Sequence, residues 1–121
     1  PIEEIIIPNS TITLDEACLH YCPNLKKITI GKGVTKIPLK MLYATEKVEE
    51  ITIKGNITEI GSSAFADVRS LKKLDMNWKN ITKIEAKAFF NCPNLTGNVT
   101  LNPSCSIAED AFQECPLNIT K

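Results

Sequence analysis

The densest group of potential metal ligands in this sequence is Cys18-Leu19-His20-Tyr21-Cys22. Two thiols and an imidazole within five residues are zinc-ligand types. The chain carries a single histidine, His20, and no fourth ligand is predictable. No nucleophile elbow, phosphate loop, paired-carboxylate cleft or calcium loop is present either. The expectation is a non-catalytic chain with no metal and no cofactor. Five cysteines is an odd number. Cys22, Cys92 and Cys115 recur at one position of a repeat, and Cys18 replaces an alanine at another. Residues in such columns face inward as small hydrophobes, whereas His20 falls in an outward column. A bridge between Cys92 and Cys115 on neighbouring coils is the alternative.

What positions these residues is a repeat. Apolar triplets recur as Ile2, Ile5, Ile7; Leu25, Ile28, Ile30; Val48, Ile51, Ile53; Leu71, Leu74, Met76; and Leu95, Val99, Leu101. The last set holds one extra residue. A second signature, A-F-x-x-C, follows as Ala88-Phe89-Phe90-Asn91-Cys92 and Ala111-Phe112-Gln113-Glu114-Cys115, and more loosely in the other copies. The copies span approximately 2–24, 25–47, 48–70, 71–94 and 95–117. So short a period marks a solenoid, in which no unit buries its own apolar face. Each copy opens on a strand that must pair in parallel with the next. A second apolar pair follows, as in Val34/Ile37, Ile57/Ile60 and Ile81/Ile84. The A-F-x-x-C segment then reads as a short helical turn on the opposite face. Proline at 23, 93 and 116 turns the chain back toward the sheet. A sixth strand is expected to start near Ile119-Thr120-Lys121.

The exposed columns carry the binding candidates. Glu4, Lys27, Glu50, Lys73 and Asn98 form one column, and Glu3, Lys26, Glu49 and Lys72 another. Their alternating signs predict rungs that satisfy each other across strands about 5 Å apart. The next column, Ile6, Thr29, Thr52, Asp75 and Thr100, predicts a flat, polar sheet floor. Five strands give a floor on the order of 300 Å², against roughly 800 Å² per partner in a stable complex. Binding would therefore enlist the rim or neighbouring repeats. The rim loop Asn77-Trp78-Lys79-Asn80 holds an inserted residue and the one tryptophan. Insertions in repeat proteins map to one face, and tryptophan is enriched in hot spots. Trp78 and Lys79 are thus candidate contacts, followed by Thr29, Thr52, Asp75 and Thr100. The alternative for Trp78 is packing over the end of the sheet. Tyr21, Tyr43 and Phe90 fall at outward positions of the short turns, as scattered surface aromatics. Six Asn-x-Ser/Thr sequons begin at Asn9, Asn56, Asn80, Asn94, Asn98 and Asn118. They either accept glycans in a secreted eukaryotic protein or reflect the preference of Asn and Thr for loops beside core isoleucines.

Composition narrows the class further. Lysine plus arginine equals aspartate plus glutamate at 14 each in 121 residues, which argues against nucleic acid as partner. No apolar run approaches the ~20 residues of a membrane span. The chain opens on Pro1 directly before a strand pattern and closes on an unfinished one. The expectation is a single solenoid domain, excised from a longer array, whose open ends favour end-to-end self-association.

These repeats closely resemble leucine-rich repeats of the BspA-like type. The pattern is nearly whole in Ile57-Thr58-Glu59-Ile60-Gly61-Ser62-Ser63-Ala64-Phe65. Met41-Leu42 and Thr45 in the second copy, and the extra residue near Trp78, depart from it. The resemblance implies an α/β right-handed solenoid, with a parallel concave β-sheet and short helices or 3-10 turns on the convex side. It also implies a cell-surface or secreted protein that binds a protein or extracellular-matrix ligand, as in adhesion or host interaction. A structural spacer and an intracellular scaffold are the alternatives.

Overall fold

The computed structural model describes residues 2–20 and 22–121. Ten strands follow in chain order: β1 (Glu4–Ile7), β2 (Lys27–Ile30), β3 (Lys36–Ile37), β4 (Glu50–Asn56), β5 (Glu59–Ile60), β6 (Lys73–Asn77), β7 (Lys83–Ile84), β8 (Asn98–Thr100), β9 (Ser106–Ile107) and β10 (Asn118–Thr120). They build a parallel β-solenoid with three sheets, ordered β1-β2-β4-β6, β3-β5-β7-β9 and β10-β8. Because every coil repeats the same apolar spacing, like pairs with like. Ile5, Ile28, Ile51 and Leu74 share one rung line, and Ile6, Thr29, Thr52 and Asp75 the next. Ile28, Ile30, Ile51 and Ile53 are buried beneath the floor. The expected sixth strand is β10, aligned with β8 from Asn98↔Asn118 to Thr100↔Thr120.

The concave face is not one five-stranded sheet. Among the described residues no strand pairing joins β6 to β8. Two irregularities flank this junction: the inserted residue of the loop 77–80 and the extra residue beside Gly97. Gly97 adopts φ 130°, a conformation closed to side-chain-bearing residues. Together they put the facing strands out of step. Leu74 and Met76, next to the break, are only partly buried where Ile28 and Ile51 are fully so.

The second apolar pair of each coil forms a sheet of its own, which its three-residue spacing conceals. Ile37, Ile60 and Ile84 point inward, while Lys36, Glu59 and Lys83 form an outward column.

No helix occurs among the described residues, and none there is long and apolar enough to cross a membrane. The convex segments are chains of turns in which alternate amides serve different partners. Leu19, Leu42, Phe65 and Phe89 donate to the carbonyls of Met41, Ala64, Ala88 and Ala111 on the next coil, at 2.7–3.2 Å. The residues that follow, His20, Tyr43, Ala66 and Phe90, donate within the coil to Ala17, Lys40, Ser63 and Lys87 at 3.1–3.3 Å. A helix would commit every amide to its own turn. Here the stack claims half of them, at the cost of left-handed backbone at Ala17, Lys40, Ala44, Ser63, Asp67, Lys87, Asn91 and Glu114 (φ 52–59°). The turns hold a core column in which Phe65, Phe89 and Phe112 stack with centroids 4.9 and 5.1 Å apart.

The cysteines follow the column rule only in part. Cys92 and Cys105 are buried, while Cys22 and Cys115 are partly so. Cys18, expected to face inward, is exposed, because among the described residues a neighbouring coil covers only one side of its turn. All five thiols are free. Cys92 Sγ donates to the Phe65 carbonyl at 3.0 Å, and burial pushes its thiol up to about 12.

Candidate functional site

The candidate surface is the concave floor with its rim. Alternation along β2, β4 and β6 turns Thr29, Thr52 and Asp75 outward in strict register, with Ile6 of β1 ahead of them. Ile6 is exposed and apolar. Thr100 does not complete this row. It lies in the separate β8–β10 sheet, where its hydroxyl meets that of Thr120 at 3.3 Å. The structure thus brings three of the four floor residues together and places the fourth across the break.

Charged rungs border the floor as their alternation predicts. Lys26 meets Glu3 at 3.0 Å, Lys72 meets Glu49 at 3.6 Å and Lys27 meets Glu50 at 3.8 Å. The hydrogen bond to Glu3 raises the Lys26 pKa. These groups are exposed, so solvent screens each pair and its contribution to stability is small. Their chief effect is to neutralise one another, which leaves the polar row that follows them along the strands as the face a partner would read.

At the rim, the Trp78 ring lies 5.7 Å from Phe89, tilted by 39°, and is partly buried against the core. Asn77 anchors the loop. Its Oδ1 accepts from the Lys79 amide at 3.0 Å, and its Nδ2 donates to Asn56 Oδ1 at 3.1 Å. The Lys79 residue is exposed above this turn. The floor and the rim loop follow directly from one another, because β6 runs into Asn77.

The turn aromatics divide. Lys40 covers the Tyr43 ring at 5.7 Å and Lys87 covers Phe90 at 5.4 Å. Tyr21 lies outside the described residues. His20 stacks on Tyr43 at 5.8 Å, and its Nδ1 contacts the Tyr43 carbonyl. Among the described residues no three His, Cys, Asp or Glu groups come together as a metal would require. Four of the sequon threonines have structural work, Thr100 and Thr120 through the contact described above and the other two through backbone carbonyls. Thr58 Oγ1 donates to the Thr35 carbonyl at 3.3 Å and Thr82 Oγ1 to the Thr58 carbonyl at 3.1 Å. Inter-coil bonding of this kind accounts for threonine at those positions.

One concavity escapes a reading based on columns alone. A cleft of about 700 Å³ opens between residues 12–16 of the first coil and β3, lined by Ile12, Leu14, Lys36, Glu59 and Glu85 among others. Its only sequence signal is Pro38. Gly61, Glu85 and Ala108 occupy the same position in later coils and donate their amides to Ile37, Ile60 and Ile84 of the coil before, at 2.8–3.0 Å. Proline has no amide hydrogen to offer Leu14. The first coil accordingly leaves the second sheet and rejoins the stack at Ala17, whose amide donates to Leu39 at 2.9 Å.

Residues 1–118 match a family model described as a BspA type leucine rich repeat region of six copies. The five copies delimited by spacing, with β10 opening a sixth, agree with that description apart from the count. A search of curated proteins gives no match. Among solved structures, a leucine rich cell surface protein from Faecalibacterium prausnitzii superposes with TM-score 0.62 at 20% identity. The superposition covers 94% of this chain and 37% of that one, so the chain spans little over a third of its structural relative. Repeat period, parallel stacking and the match over nearly the whole chain lead to one conclusion: the protein belongs to the BspA-type leucine-rich repeat family.

Proposed function

We propose that this chain is a non-catalytic protein-binding segment of a cell-surface leucine-rich repeat protein, which meets a protein or matrix ligand through its concave floor and rim. The observation that carries this reading is the in-register row Thr29, Thr52 and Asp75, set beside self-neutralising charge ladders at the start of the same strands. Such a row is already ordered before a partner arrives, and pre-organisation lowers the cost of association. The exposed Lys79, beside the anchored Trp78, extends the row at the rim. The surface location draws on the structural relative, a leucine rich cell surface protein. End-to-end association of open strand edges is a further expectation of the same reading.

The test has two parts. Antibodies against the chain should label intact source cells without permeabilisation. Immobilised collagen, laminin and fibronectin should capture the native chain, and Thr52→Arg or Lys79→Glu should reduce capture roughly tenfold. Labelling only after permeabilisation would overturn the surface location.

A spacer role is the competing reading, favoured by the packing of Trp78 on Phe89. Under it Trp78→Ala lowers stability, and neither Thr52→Arg nor Lys79→Glu changes capture of any of the three proteins.

A further inference from the structure

We propose that the cleft between residues 12–16 and β3 is a second docking site. It takes an extended segment of a partner protein that carries an arginine or lysine. This rests on the reading of the chain as a protein-binding module but uses a different face, the side formed by the second sheet.

Three observations converge. The strand edge is open: the Thr35 and Ile37 carbonyls are used on the β5 side by Thr58 and Gly61. By strand alternation the backbone N–H and C=O of Lys36 then face the cleft. Among the described residues no backbone hydrogen bond ties residues 12–16 to β3. The cleft is also strongly acidic on a chain of zero net charge. Asp15, Glu16, Glu59 and Glu85 line it against Lys36 alone. Lys36 is engaged with Glu59 at 3.3 Å, and Lys83 lies 3.3 Å from Glu85. Asp15 and Glu16 enter no ion pair among the described residues. Finally, Ile12 stands 73% exposed at the mouth, an apolar surface that a partner side chain would cover.

An extended segment answers all three features. Its backbone lies along residues 35–37, an apolar side chain covers Ile12, and its cation sits between the carboxylates of the first coil and those of the second sheet. Pro38 limits how far the pairing runs, because it offers no donor. Affinity would then depend on the cation more than on the strand, and charge complementarity selects the partner.

The experiment uses an array of short, end-blocked peptides rich in valine and threonine, with arginine, lysine or glutamate fixed at the centre. Binders are titrated into the ¹⁵N-labelled chain. Arginine and lysine peptides should bind and shift the amides of Thr13–Glu16, Lys36, Ile37 and Leu39. Asp15→Asn with Glu16→Gln, both exposed positions, should weaken that binding roughly tenfold, while Lys79→Glu leaves it unchanged. Equal binding of the glutamate peptides, shifts confined to Thr29, Thr52 and Asp75, or no binding would each overturn the proposal. Sedimentation showing a dimer that Asp15→Asn with Glu16→Gln abolishes would assign the cleft to a second copy and overturn it too. Because the matrix-capture test turns on Thr52 and Lys79, failure of one site is distinguishable from failure of the other.

Discussion

At the scale of single residues, the repeat exposes its own exceptions. Thr45 stands where the first, fourth and fifth coils place a cysteine and the third places Val68. It is 4% exposed, and its Oγ1 has no hydrogen-bond partner among the described residues. Cys92, at the same position two coils on, donates to the Phe65 carbonyl instead. A buried hydroxyl without a partner costs about 1–3 kcal/mol. Thr45→Val keeps the shape and removes the orphan, so denaturant unfolding should show a gain of about 1 kcal/mol; a loss of stability would mean that the hydroxyl is satisfied in solution. Among the thiols, burial shifts Cys92 furthest. Burial raises its folded pKa to about 12 from the ordinary 9.0. The folded state therefore keeps a proton that the unfolded chain releases above pH 9, and stability falls as pH rises through 9 to 12. The slope from this group is roughly 1.4 kcal/mol per pH unit. Urea melts under reducing conditions should be level from pH 7 to 8.5 and fall at pH 10, and Cys92→Ala should flatten that fall from a lower starting stability. An unchanged slope would show that the group does not carry the effect.

At the scale of elements, the convex segments are where local pattern and tertiary context part. Ala88-Phe89-Phe90-Asn91-Cys92 has the apolar spacing of a helical turn, yet the adjoining coil claims Phe89 N–H and Asn91 N–H. Residue types announce this only at Asp67 and Asn91, because alanine, lysine, serine and glutamate hold the other left-handed positions where glycine would be the usual signal. A pair of glycine substitutions distinguishes the two conformations. Ala44 is exposed with φ 57°, whereas Ala66 is buried and outside the positive-φ set. Ala44→Gly relieves the left-handed cost and should stabilise by up to about 1 kcal/mol. Ala66→Gly should destabilise by about 1 kcal/mol. A helix would make both changes unfavourable, so thermal melts giving the same negative sign for both would contradict the turn chain. The floor was legible for the opposite reason. The triplets around Ile28, Ile51 and Leu74 repeat at a fixed period, so register follows from parallel stacking without any other information. The two-residue strands were not legible, since Val34 and Ile37 show no alternation. The cleft was hidden too: Pro38 acquires meaning only once the amides of Gly61, Glu85 and Ala108 are seen to bridge the coils.

At the scale of the whole molecule, stability in a solenoid is a sum of nearest-neighbour interfaces, and these interfaces are unequal. Between the fourth and fifth coils the second sheet and the convex turns stay joined: Ser106 and Ala108 donate to Thr82 and Ile84, and Phe89 and Asn91 to Ala111 and Gln113. Only the concave sheet is interrupted there. The extra residues near Trp78 and Gly97 were visible in the sequence, but that they would split the floor depends on their facing each other across one junction. The split makes β8 rely on β10 for all of its strand pairing. Three sets of contacts hold this end: the ladder Asn98–Thr100 with the Asn118 amide on the Gly97 carbonyl and the side-chain bonds of Asn118 and Thr120, the Leu101 amide on the Thr120 carbonyl at 2.8 Å, and Lys121 Nζ on the Cys105 carbonyl at 2.7 Å. Ending the chain at Leu117 removes all three and touches nothing in the β1-β2-β4-β6 sheet. Hydrogen exchange on that shortened chain should show protection lost in residues 98–101, where opening becomes local. Ile28, Ile51 and Ile53 should exchange as in the full chain, because their partners lie on coils the deletion does not reach. Phe89 and Asn91, bonded to the fifth coil on the convex side, should remain protected as well. Collapse of protection across all coils would show a single cooperative unit and refute the division at β6; retention at 98–101 would show that β8 is held by interactions other than its pairing with β10.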